Sequence, residues 1–97
     1  MKYRKLGHSG LMVSELTLGT LTFNGQAGFE KTGNVDVRQA RRFIEIALER
    51  GVNTVDTADL YSKGGAEETL GEALGGNRQR VILATKARSP MRDDPND

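Results

Sequence analysis

Apolar residues recur at helical spacing most clearly at Val37, Ala40, Phe43, Ile44, Ala47 and Leu48, while Arg38, Arg41, Arg42, Glu45, Glu49 and Arg50 fill the other face. A period near 3.6 gathers the first set into one stripe, which predicts an amphipathic helix. Asp36 followed by Gln39 reads as a capping-box variant at its start, and Gly51 as its C-terminal stop. A weaker helix is predicted over residues 66–74. Leu70, Ala73 and Leu74 give it an apolar stripe, Glu67 and Glu68 suit the positive end of its dipole, and Gly75-Gly76-Asn77 end it. Elsewhere the period shortens. Residues 2–6 and 11–13 flank Gly7-His8-Ser9-Gly10, which predicts a hairpin. Residues 16–18 form a short strand that stops at Gly19-Thr20. Residues 52–56 are strand by β-branched content. Residues 81–86 are a nearly continuous apolar run, as expected of a strand covered on both faces. Residues 24–34, with three glycines and two asparagines, predict a loop, and the polar residues 88–97 predict a loop or a disordered tail.

Strand, helix, strand, helix, strand with short joins is the pattern of right-handed βαβ units in a parallel sheet. The fold class is therefore α/β. A chain of 97 residues amounts to one small domain. Its formal net charge of +1 gives no electrostatic argument for nucleic acid or an anionic membrane as partner. Cysteine is absent and there is one histidine, so neither a disulfide frame nor a histidine-cysteine metal site is expected. The lack of cysteine suits a reducing cytoplasm. His8 falls in the predicted turn and is expected on the surface.

In parallel α/β proteins, functional groups gather at the carboxyl ends of the strands. Gly19-Thr20 ends the first predicted parallel strand, Asp56 the second and Lys86 the third, and Tyr61 lies five residues past Asp56. Residues two apart on a strand share a face, so Asp56 goes with Thr54 and Lys86 with Ala84 and Ile82. If those are the inner faces, an acid and a base point into one cavity mouth, where an unpaired charge is costly and each needs the other. A cation beside a tyrosine favours its phenolate, which suits the tyrosine to general acid work. Taken singly, these residues have plainer uses. Asp56 suits a turn carboxylate, Tyr61 a packing residue and Lys86 a solvated strand-end charge.

Gly51-Val52-Asn53-Thr54-Val55-Asp56-Thr57-Ala58-Asp59-Leu60-Tyr61, with Glu67 and Leu70-Gly71 downstream, resembles the strand-and-loop signature of aldo-keto reductases. Leu83-Ala84-Thr85-Lys86 is similar to the family's lysine strand. Tyr3-Arg4-Lys5-Leu6-Gly7, Ser9-Gly10-Leu11-Met12-Val13-Ser14 and Leu18-Gly19-Thr20 resemble its N-terminal hairpin and first strand. Ala66 departs from the pattern, since a serine is more usual there.

The resemblance implies a (β/α)8 TIM-type barrel closed at the bottom by the hairpin, with NADP(H) across the top. It implies reversible reduction of small aldehydes or ketones to alcohols. By the same resemblance Tyr61 is the proton donor, Lys86 the residue that tunes it and Asp56 the lysine's partner. Gly19, Thr20 and Leu21, again with Asp56, lie near the nicotinamide and its ribose.

A closed barrel of this type takes about 200 residues or more. Residues 1–97 are thus expected to be the N-terminal part of one barrel domain, holding the hairpin, three strands and two helices, and to be inactive alone. In the family a fourth catalytic position and most cofactor contacts follow later in the chain. Two other functions stay open: a nucleotide-sensing subunit of the same fold, and a chain that assembles with a complementary one.

Overall fold

A computed structural model describes all residues from Met1 to Asp97. A short antiparallel hairpin pairs β1 (Tyr3–Lys5) with β2 (Met12–Ser14), Tyr3 lying opposite Ser14. A separate parallel sheet follows in the order β3 (Thr17–Gly19), β4 (Thr54–Asp56), β5 (Ile82–Ala84). Helix α1 (Val37–Glu49) joins β3 to β4, and α2 (Gly65–Leu74) lies between β4 and β5. The alternation expected from the sequence is the one observed. No helix is long and apolar enough to cross a membrane.

Helix α1 begins where its cap requires. The Gln39 N–H donates to Asp36 Oδ1 at 2.9 Å, and the Asp36 N–H donates to Gln39 Oε1 at 3.3 Å. Together they satisfy two of the amide donors that a helix start leaves free. Helix α2 ends at Leu74 as expected, but the chain then continues as a 3-10 turn over Gly75–Arg80.

The core lies between the sheet and the two helices. Phe23, Ala40, Ile44, Val55, Leu70, Ala73 and Leu74 are all buried there. Phe23 and Phe43 meet as tilted rings with centroids 6.5 Å apart. The strand register explains which sheet face joins the core. Leu18, Val55 and Leu83 form one cross-strand row, and all three belong to or pack on the core cluster. The alternate rows, Thr17-Thr54-Ile82 and Gly19-Asp56-Ala84, stand on the opposite face, which no helix covers.

Strand β5 is shorter than the sequence reading, Ile82–Ala84 in place of residues 81–86. Within these 97 residues it pairs with β4, and its Leu83 side packs on the core. At the other edge Met1, Leu16, Leu18, Phe43, Ile46, Ala47 and Val52 line an open apolar cleft of about 570 Å³.

The hairpin is tied to the amino end of β4. Asn53 accepts from the Ser14 N–H at 2.9 Å through Oδ1 and donates to Met12 O at 3.1 Å through Nδ2. The Asn53 N–H donates in turn to Ser14 Oγ at 3.1 Å. Tyr3 Oη donates to Gly51 O at 2.6 Å. Gly51 has φ +84°, and a Cβ there would stand 2.8 Å from that same Tyr3 oxygen, so only glycine fits. The hairpin thus lies at the end of the sheet opposite Asp56. His8 is exposed in the hairpin turn. Residues 88–97 contain turns and bends but no helix or strand. There Arg92 donates to the Asp97 carboxylate through its N–H at 2.9 Å and its Nε at 3.0 Å.

Candidate active site

Asp56 is the last residue of β4, and its register neighbours are Gly19 on β3 and Ala84 on β5. Two residues with little or no side chain therefore flank the carboxylate. No heavy atom lies within 4 Å of the position a Cβ would take on Gly19, so space remains open beside the acid.

The parallel contact runs on past the strand ends. The Thr57 N–H donates to Ala84 O at 2.8 Å, and the Asp59 N–H donates to Lys86 O at 3.2 Å. This brings Lys86 beside the loop after β4. Its ammonium donates to Asp56 Oδ2 at 2.7 Å, to Thr57 O at 2.9 Å and to Tyr61 Oη at 3.4 Å. It also stands 5.1 Å from the centroid of the Tyr61 ring, within reach of a cation–π attraction. Tyr61 opens a 3-10 turn, Tyr61–Gly64, that runs directly into α2.

The structure thus brings Asp56, Tyr61 and Lys86 to one ammonium group at the carboxyl ends of β4 and β5. The hydrogen bond that Lys86 donates to Asp56 raises the Lys86 pKa above its ordinary 10.5, partial desolvation opposes this, and the Tyr61 hydroxyl adds to the rise. Lys86 is therefore a cation throughout the neutral range. Its side chain is 52% exposed and that of Asp56 38%, so the pair faces solvent on the uncovered side of the sheet.

Residues 19–21 divide. Gly19 borders Asp56, while the Thr20 N–H donates to Asp56 O at 3.1 Å and continues the β3–β4 contact. The Thr20 side chain is fully buried and its hydroxyl has no partner. Leu21 is exposed. Open space at Gly19, an exposed apolar side chain at Leu21 and a fixed carboxylate at Asp56 suit a flat, partly polar ring with hydroxyls beside it.

Sequence reasoning missed two contributors. The Thr57 carbonyl is the second acceptor for Lys86, a backbone role that no residue type announces. Ser62 is fully buried against the loop after β3, although serine is a common surface residue.

The profile described as Aldo/keto reductase family matches residues 15–97. An oxidoreductase of Bacillus subtilis, YqkF, is 42% identical over 87 residues, covering 90% of this chain and 25% of its own length. A protein of Oryza sativa subsp. japonica named "Probable voltage-gated potassium channel subunit beta" is 39% identical, with 89% of this chain and 25% of its own length covered. Among solved structures, the holo form of aldo-keto reductase AKR11C1 from Bacillus halodurans superposes with a TM-score of 0.72. It is 45% identical and covers 90% of this chain and 26% of its own. An aldo-keto reductase from Klebsiella pneumoniae in complex with NADPH gives 0.64 at 32% identity, covering 78% of this chain and 24% of its own.

The chain belongs to the aldo/keto reductase family. These relatives are (β/α)8 barrels, and the hairpin, parallel sheet and helices seen here correspond to part of such a barrel. The chain spans about a quarter of the length of the curated relatives it matches.

Proposed function

We propose that this chain supplies the proton-donating part of an NADP(H)-dependent carbonyl reductase site, with turnover requiring the remaining strands of a barrel. The observation that carries this reading is the single Lys86 ammonium bonded to both Asp56 and Tyr61 at the strand ends.

The hydrogen-bond directions favour it. Lys86 donates to Tyr61 Oη, so the phenol's own O–H is left to donate elsewhere. A carbonyl oxygen in front of Tyr61 can take that proton as its carbon is reduced. When the phenol gives up its proton, the Lys86 cation stabilises the phenolate left behind. Asp56 and the Thr57 carbonyl hold the ammonium in place and leave its third N–H toward Tyr61. When bound, NADPH would supply the hydride and leave as NADP⁺. Of the residues expected beside its nicotinamide and ribose, Gly19, Leu21 and Asp56 would border them and the open space beside Asp56 accommodates them, while the Thr20 side chain is buried behind the strand end. Solved relatives hold NADPH or NADP, which supports the choice of cofactor.

The similarity to plant proteins named as potassium channel β subunits favours a second reading, a nucleotide-binding subunit that turns over little or nothing. One assay separates the two. A barrel-length protein carrying these residues is mixed with NADPH and 4-nitrobenzaldehyde, and the NADPH absorbance is followed. Steady loss of absorbance is the expected result. Tight NADPH binding with no loss on any of a panel of carbonyls would replace the reductase with the sensor.

A further inference from the structure

The turn that begins at Tyr61 has an uncommon backbone. Ser62 and Lys63 both have φ of 52°, and Gly64 follows at 97°. A residue with a side chain is strained in this region and persists there only where its surroundings over-determine it. For Ser62 the surroundings are specific. It is fully buried. Its Oγ donates to Phe23 O at 3.2 Å and accepts from the Gly25 N–H at 2.9 Å, an N–H that it shares with Phe23 O at 3.0 Å. Its carbonyl accepts from Gln26 Nε2 at 3.4 Å.

The loop on the receiving side is equally constrained. Gly25 has φ +86°, and a Cβ there would collide with the Gly33 carbonyl, so the loop keeps one shape. Asn24 donates to Thr69 Oγ1 at 3.3 Å, which ties the same loop to α2. Phe23, whose carbonyl the serine holds, is fully buried in the core. This loop continues the 19–21 segment that borders Asp56. Neither Ser62 bond contributes to the sheet or to either helix, so secondary structure alone does not account for them.

We propose that Ser62 is a positioning residue whose hydroxyl latches the Tyr61 turn to the loop after β3, so that the phenol is held against Lys86 and both walls of the site move as one body. The importance of that placement rests on the reading of Tyr61 as proton donor, but the latch is measured without any turnover. If Ser62 only filled space, glycine in its place would relax the left-handed strain and leave Tyr61 where it is.

The test is NMR on a barrel-length protein carrying these residues, with Ser62→Gly and Ser62→Ala. The first removes strain and hydroxyl together; the second removes the hydroxyl alone. Three signals are read: amide exchange at Gly25, the NOE between the Tyr61 ring and the Lys86 ε-methylene, and amide exchange in β4 as a control. The proposal expects exchange at Gly25 to rise about tenfold or more in both variants. It expects loss of the Tyr61–Lys86 NOE while β4 protection holds. Unchanged Gly25 exchange and an unchanged NOE in Ser62→Gly would overturn it. So would loss of protection throughout β4, which would make Ser62 a general core residue. An intact latch in a protein that never reduces a carbonyl would remove the reductase reading and leave this one standing.

Discussion

Asp56 Oδ2 and Lys86 Nζ lie 2.7 Å apart, joining the end of β4 to the residue two past the end of β5. The contact is possible because Ala84 lies opposite Asp56 in register and Lys86, two residues further on, has the same parity as Ala84. It leaves the rest of the ammonium free to reach Thr57 O and Tyr61 Oη.

Asp56→Asn is expected to lower the Lys86 pKa toward 10.5, because the hydrogen bond to the Asp56 carboxylate is the largest contributor to its rise. A 13C titration of the lysine ε-carbon measures this directly. The sign for stability follows from the same shift. The folded pKa is raised, so this group's contribution is complete below 10.5 and is lost as pH climbs through the raised value. Urea midpoints of the parent chain should therefore fall more steeply than those of Asp56→Asn above that pH. The pair is half exposed, so the difference at neutral pH should be small.

Asn53→Ala should loosen the hairpin and leave the site nearly intact. It removes the bonds that Asn53 accepts from the buried Ser14 N–H and from Thr54 Oγ1 and the one it donates to Met12 O. Leaving a buried donor unpaired costs about 1–3 kcal/mol. Chemical denaturation should show a loss in that range, and amide exchange at Ser14 should rise more than exchange at Asp56.

Ile44 and Ile46 sit on the same helix with opposite exposures, 1% and 39%. Ile44→Ala should cost about 2–5 kcal/mol through lost burial and a cavity beside Phe23 and Leu70. Ile46→Ala should change stability by about 1 kcal/mol or less, since its side chain fronts the open cleft. Equal losses at both positions would mean that the cleft is covered in solution.

Much of this was legible in the sequence. The Asp36 and Gln39 cap, the stripe through Ala40 and Ile44, and the parity that puts Asp56 and Ala84 on one face depend only on spacing. The joining of Asp56, Tyr61 and Lys86 followed from strand ends plus the family signature. What stayed hidden depends on tertiary placement. The apolar run at 81–86 reads as one continuous strand, but the ladder covers only Ile82–Ala84, because where pairing stops is set by the neighbouring β4 and not by the run itself. Ser62 carries no local sign that it would take a left-handed backbone, because its compensating partners Phe23 and Gly25 lie 39 and 37 residues away. The Asn53 bridge to Ser14 is equally remote in sequence.

The most direct measurement of the proposed role is turnover by Tyr61→Phe in a barrel-length protein carrying these residues. The substitution keeps the ring and removes only the hydroxyl that Lys86 addresses. If Tyr61 gives the proton, kcat for 4-nitrobenzaldehyde should fall by about 10²–10⁴-fold while NADPH affinity stays unchanged. A variant that reduces the aldehyde at the parent rate would contradict the assignment of Tyr61 as proton donor.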